Sequence, residues 1–127
     1  MRIYIGYQGE QGGSIDTEKI IHDALSKKYD LVYSNAVTNK GNPKDYISKC
    51  DVMVADVSFP TISLGIEMGW ADNLNVDIIC TCVKGNAIPS HLTRMSKHIL
   101  LYTDTLELWR ELEIFLDSQY KGKLRRN

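Results

Sequence analysis

The chain has 127 residues, of which 43% are hydrophobic and 24% charged, and its 15 basic and 16 acidic side chains leave a net charge of −1. That length suits one ordinary domain with its own core, and the near-neutral balance leaves no electrostatic footprint for a nucleic-acid polymer. Apolar runs such as Ile78 to Val83 fall far short of the ~18 residues of a membrane span, and the opening MRIYIGY lacks the apolar core and cleavage site of a secretory leader.

Along the chain, β-branched and aromatic residues predict a first strand over Arg2 to Tyr7, followed by a polar, glycine-bearing segment from Gln8 to Ser14. Ile20, Ile21, Ala24 and Leu25 recur at helical spacing, so a helix is expected from Asp16 or Thr17, either of which can cap it, to Lys27 and Lys28. Asp30 to Val37 suits a second strand, and a short helix is expected to begin near Pro43. DVMVADV, Asp51 to Val57, is mostly apolar rather than alternating, which fits a central strand covered on both faces of a parallel sheet. A third helix is read over Ser63 to Asn73, a fourth strand over Val76 to Val83 and a fifth over His98 to Tyr102. The closing helix, Asp104 to Tyr120, carries Leu108, Leu112, Phe115 and Leu116 on one stripe, widened by Leu106 and Trp109.

This alternation predicts an α/β fold: a single doubly wound sheet of about five parallel strands in a flavodoxin- or Rossmann-like three-layer sandwich. The domain is expected to span 1–120, with a basic tail over 121–127. Ligands of such sheets bind outside the carboxyl ends of the strands, here Tyr7 to Ser14, the region after Val37, and Phe59 to Glu67. Three cysteines, an odd number, argue against a disulfide framework and for a reducing, cytoplasmic setting, with Cys80 and Cys82 as core thiols.

The loop Ser58 to Ser63 offers hydroxyls and free backbone N–H groups in front of a helix. A phosphate or sugar oxygen could sit against Thr61, Ser63 and the N–H groups through Gly65, where the missing side chain permits close approach. Plain N-capping by Ser63 or Thr61 is the simpler reading of the same hydroxyls and is preferred on the sequence alone. With Ser63 as the cap, Glu67 falls one position past the residue that closes a capping box, so capping does not explain it. An acid in the first turn gains from the helix macrodipole or simply faces water, and the same field favours the ionised carboxylate, the form that acts as a nucleophile.

CDVMVADVSFPTISLGIEMGWA, Cys50 to Ala71, resembles a block of the nucleoside 2-deoxyribosyltransferase family, including its branch of 2′-deoxynucleoside 5′-phosphate N-hydrolases. In that block a strand opens with Asp and ends in an acid, hydroxyl and proline follow, and a glycine stands two before a glutamate. Asp51, Asp56, Ser58, Pro60, Thr61, Gly65, Glu67, Gly69 and Ala71 occupy the matching places. The opening IYIGYQGEQGG is similar, more loosely, to the family's first strand and glycine-bearing loop, and puts Tyr4, Gly6 and Gly12 among the substrate-binding candidates.

The resemblance implies cleavage of the N-glycosidic bond of a 2′-deoxyribonucleoside or its 5′-monophosphate. Glu67 would attack C1′ through an oxocarbenium-like transition state, and water or a second base would resolve the deoxyribosyl-enzyme intermediate. Ser58, Thr61, Ser63 and Gly65 would hold the sugar or its phosphate. The compact loop between Pro60 and Glu67 is closer to the nucleotide hydrolases, although Ser63 stands where that branch has a glycine. The family's second acid falls on Pro43, which leaves Asp45 as the nearest candidate to assist the leaving base. A homodimer or higher homo-oligomer follows from the resemblance, with the neighbouring subunit helping to close the site.

No cofactor or metal site is expected, and the partner is a small nucleoside or nucleotide. The other reading is a non-catalytic nucleotide-binding module that keeps the fold without the second carboxylate. A receiver domain would need an acidic cluster after the first strand, where GYQGEQ supplies only Glu10, and a dehydrogenase would need a different glycine spacing. His22, His91 and His98 read as surface or structural residues, and Trp70 as a core or subunit contact.

Overall fold

Strand and helix alternate through the chain in a computed structural model that describes residues 1–6, 15–34, 41–96 and 98–120, the side chains of 15–21 excepted. Gly12 with its loop, and the tail 121–127, lie outside the described residues. The elements are β1 (Arg2–Gly6), α1 (Ile15–Lys28), β2 (Asp30–Tyr33), α2 (Pro43–Ser48), β3 (Val52–Asp56), α3 (Ile62–Asn73), β4 (Asp77–Val83), α4 (Ser90–Thr93), β5 (His98–Tyr102) and α5 (Thr105–Gln119). The five strands pair in the order β2-β1-β3-β4-β5, every neighbour parallel. The expected α/β fold, a doubly wound five-stranded parallel sheet, is therefore the one observed.

Alternation along each strand sends successive side chains to opposite faces. Tyr4, Met53, Ala55, Ile78, Cys80 and Cys82 pack on one face with Ile47 of α2 and Leu64, Met68 and Ala71 of α3. Ile3, Ile5, Val52, Val54 and Ile79 pack on the other with Leu25 of α1 and Leu108, Trp109, Leu112 and Leu116 of α5. The chain winds outward from β1 to β2 and, after returning, from β3 to β5. The carboxyl ends of β1 and β3 thus flank the topological switch point, where such sheets hold their ligands.

Several contacts fix this frame. Asp51 accepts from the Arg2 N–H at 2.8 Å and returns its own N–H to Arg2 O at 2.8 Å, which locks the amino ends of β1 and β3 in register. Gly6 ends β1 under α3: a Cβ there would stand 3.1 Å from Leu64 Cδ1 and 3.2 Å from Met53 Cε, so its lack of a side chain sets how closely the helix approaches. Asp104 caps α5 by accepting from Glu107 N at 2.8 Å, and Tyr29 Oη donates to Asp117 at 2.7 Å to tie that helix to the end of α1.

Strand and helix ends differ from the sequence reading by a residue or so in several elements, and the following differences bear on the site or the element order. β2 stops at Tyr33 rather than Val37, because Tyr33 pairs with Ile5 and β1 itself ends one residue later. α1 starts at Ile15, so Asp16 and Thr17 lie inside it rather than in front of it. α3 starts at Ile62 and is capped by Thr61, so Ser63 is not the cap. The short α4, initiated after Pro89, was not anticipated, since four residues carry no periodic signal.

Candidate functional site

The site is built where β1 and β3 end. Thr61 has extended backbone angles and accepts the Leu64 N–H on its side chain at 3.1 Å, which starts α3. From that cap the buried stripe of the helix runs Leu64, Glu67, Met68 and Ala71, the three-and-four spacing of one face. Glu67 is the one charged member of that stripe and is only 5% exposed. It therefore lies in the second turn, and α3 has no acid in its first turn. The expectation of a first-turn carboxylate governed by capping or by the macrodipole is corrected: those effects fade within the first turn, and side-chain hydroxyls hold Glu67 instead.

Two donors converge on it. Tyr4, on the α3 face of β1 and fully buried, donates its hydroxyl to Glu67 Oε2. Ser34, directly after β2, donates from Oγ and stands 3.0 Å from both Glu67 Oε1 and Oε2. Burial first, and then the bond to Glu67, drive the Tyr4 phenol well above its ordinary range, while Ser34 beside it works in the opposite sense. Tyr4 consequently keeps its proton and remains a donor. The two hydroxyls hold a carboxylate of limited freedom with acceptor capacity left over, since its two oxygens offer about four lone-pair positions.

A separate network lies one strand away. Asp56, at the end of β3, accepts from Thr81 Oγ1 at 2.8 Å, Tyr102 Oη at 2.6 Å and Ser58 N at 3.1 Å. The last is an Asx-type turn that bends the chain off the strand. Ser58 Oγ accepts from Val83 N at 2.8 Å and lies 3.3 Å from Tyr102 Oη, and its carbonyl accepts from Asn86 Nδ2 at 2.8 Å. Buried to 6% exposure, Ser58 is thus gathered into the brace that sets the loop before α3, apart from Glu67.

The remaining candidates spread around this centre. Thr61 and Ser63 are exposed at the start of α3. Among the described residues a Cβ at Gly65 or Gly69 would meet nothing within 4 Å, so packing among them does not call for glycine there. Asp45 is exposed in the first turn of α2, which Asn42 caps and which packs on α3; no hydrogen bond among the described residues joins Asp45 to Glu67. The structure therefore brings Tyr4 and Glu67 together and leaves Ser58 and Asp45 elsewhere.

Ser34 and the Asp56–Tyr102 contact were not found from the sequence. Ser34 looks like a continuing strand residue, and Tyr102 is 46 positions from Asp56. The only local signal was the acid two before a serine at a strand end. The ring of His22 lies tilted against Tyr33 and edge-on to Trp109, with centroids 5.2 and 5.9 Å away, and His98 lies edge-on to Phe115 at 4.8 Å, so these rings pack structurally. All three cysteines are buried, and burial pushes the Cys50 thiol up to about 11.

A cavity of about 790 Å³ lies instead along β2 and the amino end of β1, lined by Arg2, His22, Tyr29, Asp30, Tyr33 and Asp51 among others. Arg2 is already paired there with Asp30 at 2.8 Å, and the cavity opens away from the switch point. Among the described residues no group of three His, Cys, Asp or Glu could hold a metal ion, and no helix is long and apolar enough to cross a membrane.

No family model and no curated protein matches the sequence. Among solved structures the fold is similar to the CMP N-glycosidase BcmB of Clostridium botulinum, with a TM-score of 0.64 and 21% identity, covering 89% of this chain and 99% of that one. It is also similar to the 2-deoxyribosyltransferase of Bacillus psychrosaccharolyticus, with a TM-score of 0.62 and 11% identity, covering 89% of this chain and 90% of that one. At these identities the likeness is one of fold. The chain has the doubly wound α/β fold of an N-glycosidase and a 2-deoxyribosyltransferase, and the second of these is the kind of enzyme that the Cys50 to Ala71 block resembles.

Proposed function

We propose that this protein cleaves the N-glycosidic bond of a 2′-deoxyribonucleoside or its 5′-monophosphate, with Glu67 as nucleophile and water or a second base as acceptor. The observation that carries the reading is a buried carboxylate at the switch point of the sheet, held by the hydroxyls of Tyr4 and Ser34. The fold shared with an N-glycosidase and a deoxyribosyltransferase supports it.

In this mechanism a Glu67 oxygen bonds to C1′ as the C1′–N bond breaks, and the electron pair leaves with the base, which takes a proton from Asp45 or from water. Acceptor attack at C1′ then frees the carboxylate. Thr61, Ser63 and the N–H groups through Gly65 grip the sugar or its phosphate at the start of α3. Gly6 and Gly12 are assigned to substrate binding on the resemblance, and Ser58 acts through the loop it braces. The apolar side chains of Phe59, Ile62 and Ile66, 69%, 85% and 49% exposed beside the site, support a homodimer whose second copy closes it. A cytoplasmic setting fits the three unpaired, buried thiols.

The exposed position of Asp45, with no hydrogen bond to Glu67 among the described residues, favours one other reading, a nucleotide-binding module without turnover. An assay of the purified protein against the four deoxynucleosides and their 5′-monophosphates, with and without a free acceptor base, separates the two. Base release or exchange is expected. Saturable binding with no release or exchange on any substrate would overturn the enzymatic reading.

A further inference from the structure

The Ser34 hydroxyl has one proton and is equidistant, at 3.0 Å, from the two oxygens of Glu67. It therefore lies in the plane that bisects the carboxylate and favours neither oxygen. Tyr4 breaks the symmetry, because its hydroxyl bonds to Oε2 alone. Among the described residues, Oε1 accepts from Ser34 alone. At 8% exposure Ser34 is itself confined, and it follows β2 directly.

We infer that Ser34 is a positioning residue for Glu67: it steadies the resting carboxylate and moves fully onto Oε2 as Oε1 attacks C1′. This rests on the proposed glycosidic chemistry and assigns which oxygen reacts. As the Oε1–C1′ bond forms and the C1′–N pair departs with the base, Oε2 becomes the carbonyl oxygen of the glycosyl ester. That oxygen then accepts from both Tyr4 and Ser34. When water or a second base displaces the ester, the negative charge returns to the carboxylate and Ser34 returns to its bridging position. A hydroxyl that can serve either oxygen suits a group that alternates between a symmetric anion and an asymmetric ester, whereas a fixed amide would favour one state.

The test compares S34A, S34T and E67Q, each first checked for a cooperative thermal transition. Loss of orientation is expected to lower kcat in S34A by about tenfold to a hundredfold, with KM within about twofold, and S34T is expected to recover most of it by keeping the hydroxyl. The Glu67 carboxyl carbon, recognised in NMR spectra by its absence in E67Q, is expected to shift in S34A and return in S34T, whether or not a substrate turns over. Wild-type kcat and an unmoved carboxyl signal in S34A would overturn the assignment of Ser34. Full turnover in E67Q would instead overturn the nucleophile, and the carboxyl signal would still decide whether Ser34 holds Glu67.

Discussion

Tyr4→Phe isolates the contact on which the proposed site most depends. The ring of Tyr4 is fully buried on the α3 face of the sheet, so Phe keeps the packing and deletes only the O–H that meets Glu67 Oε2. A hydrogen bond to a charged group contributes about 1.5–3 kcal/mol. For a domain of this size that corresponds to a fall of about 5–12 °C in melting temperature. Two effects on the rate oppose each other. The bond is stronger to the carboxylate than to the ester oxygen that replaces it, so its loss alone would ease attack on C1′. An unheld carboxylate, however, drifts from line, and a misplacement of about 1 Å can cost about a hundredfold. Orientation is the larger effect, so kcat should fall by about tenfold to a hundredfold. Scanning calorimetry and base release followed by chromatography measure the two quantities on one preparation. A Y4F variant with wild-type kcat and an unchanged melting temperature would refute the claim that Tyr4 holds Glu67.

Thr61→Ala removes the cap of α3 and should lower stability by about 1 kcal/mol in urea titrations; if Thr61 also grips phosphate, KM should rise more for monophosphates than for nucleosides. Raising the pH should leave the melting temperature steady to about pH 8 and lower it beyond that, first as the buried thiols of Cys50, Cys80 and Cys82, all raised by burial, oppose ionisation, and further above about pH 10 as the tyrosines do. Burial raises Tyr4 and Tyr29 and pushes Tyr120 up to about 12, so the stability they contribute is complete below the ordinary tyrosine range and is lost as pH climbs toward their folded values; a melting temperature that held constant to pH 12 would contradict this. Ile62→Asp, at a side chain 85% exposed, should leave the fold intact and convert the proposed dimer to a monomer by light scattering after size exclusion; a wild type already monomeric would contradict the proposed dimer.

The order of elements was legible because each strand core is apolar and each helix is periodic: Asp51 to Val57 reads as a doubly covered strand, observed over Val52–Asp56, and α5 carries its stripe openly. Boundaries were less legible where partners decide them. Nothing within Asp30 to Val37 says that β1 runs out beside Tyr33, and that early stop is what frees Ser34 to turn toward Glu67. Glu67 stood out in the sequence, but its reason did not. The cap lies at Thr61, two residues before Ser63, and this moves the acid from the polar end of the helix to the buried stripe. The other acids of the same block proved separable only in three dimensions. Asp51 ties the amino ends of β1 and β3, whereas Asp56 braces the loop through residues of β4 and β5.

The most direct test of Glu67 as nucleophile is intact-mass spectrometry of wild-type protein and E67Q, each quenched during incubation with a substrate found to be turned over. A covalent mass increment of one deoxyribosyl unit, or of its phosphate, is expected on the wild type, with peptide mapping to Glu67, and neither adduct nor turnover is expected in E67Q. Undiminished turnover in E67Q, or an adduct mapping to another residue, would contradict the mechanism.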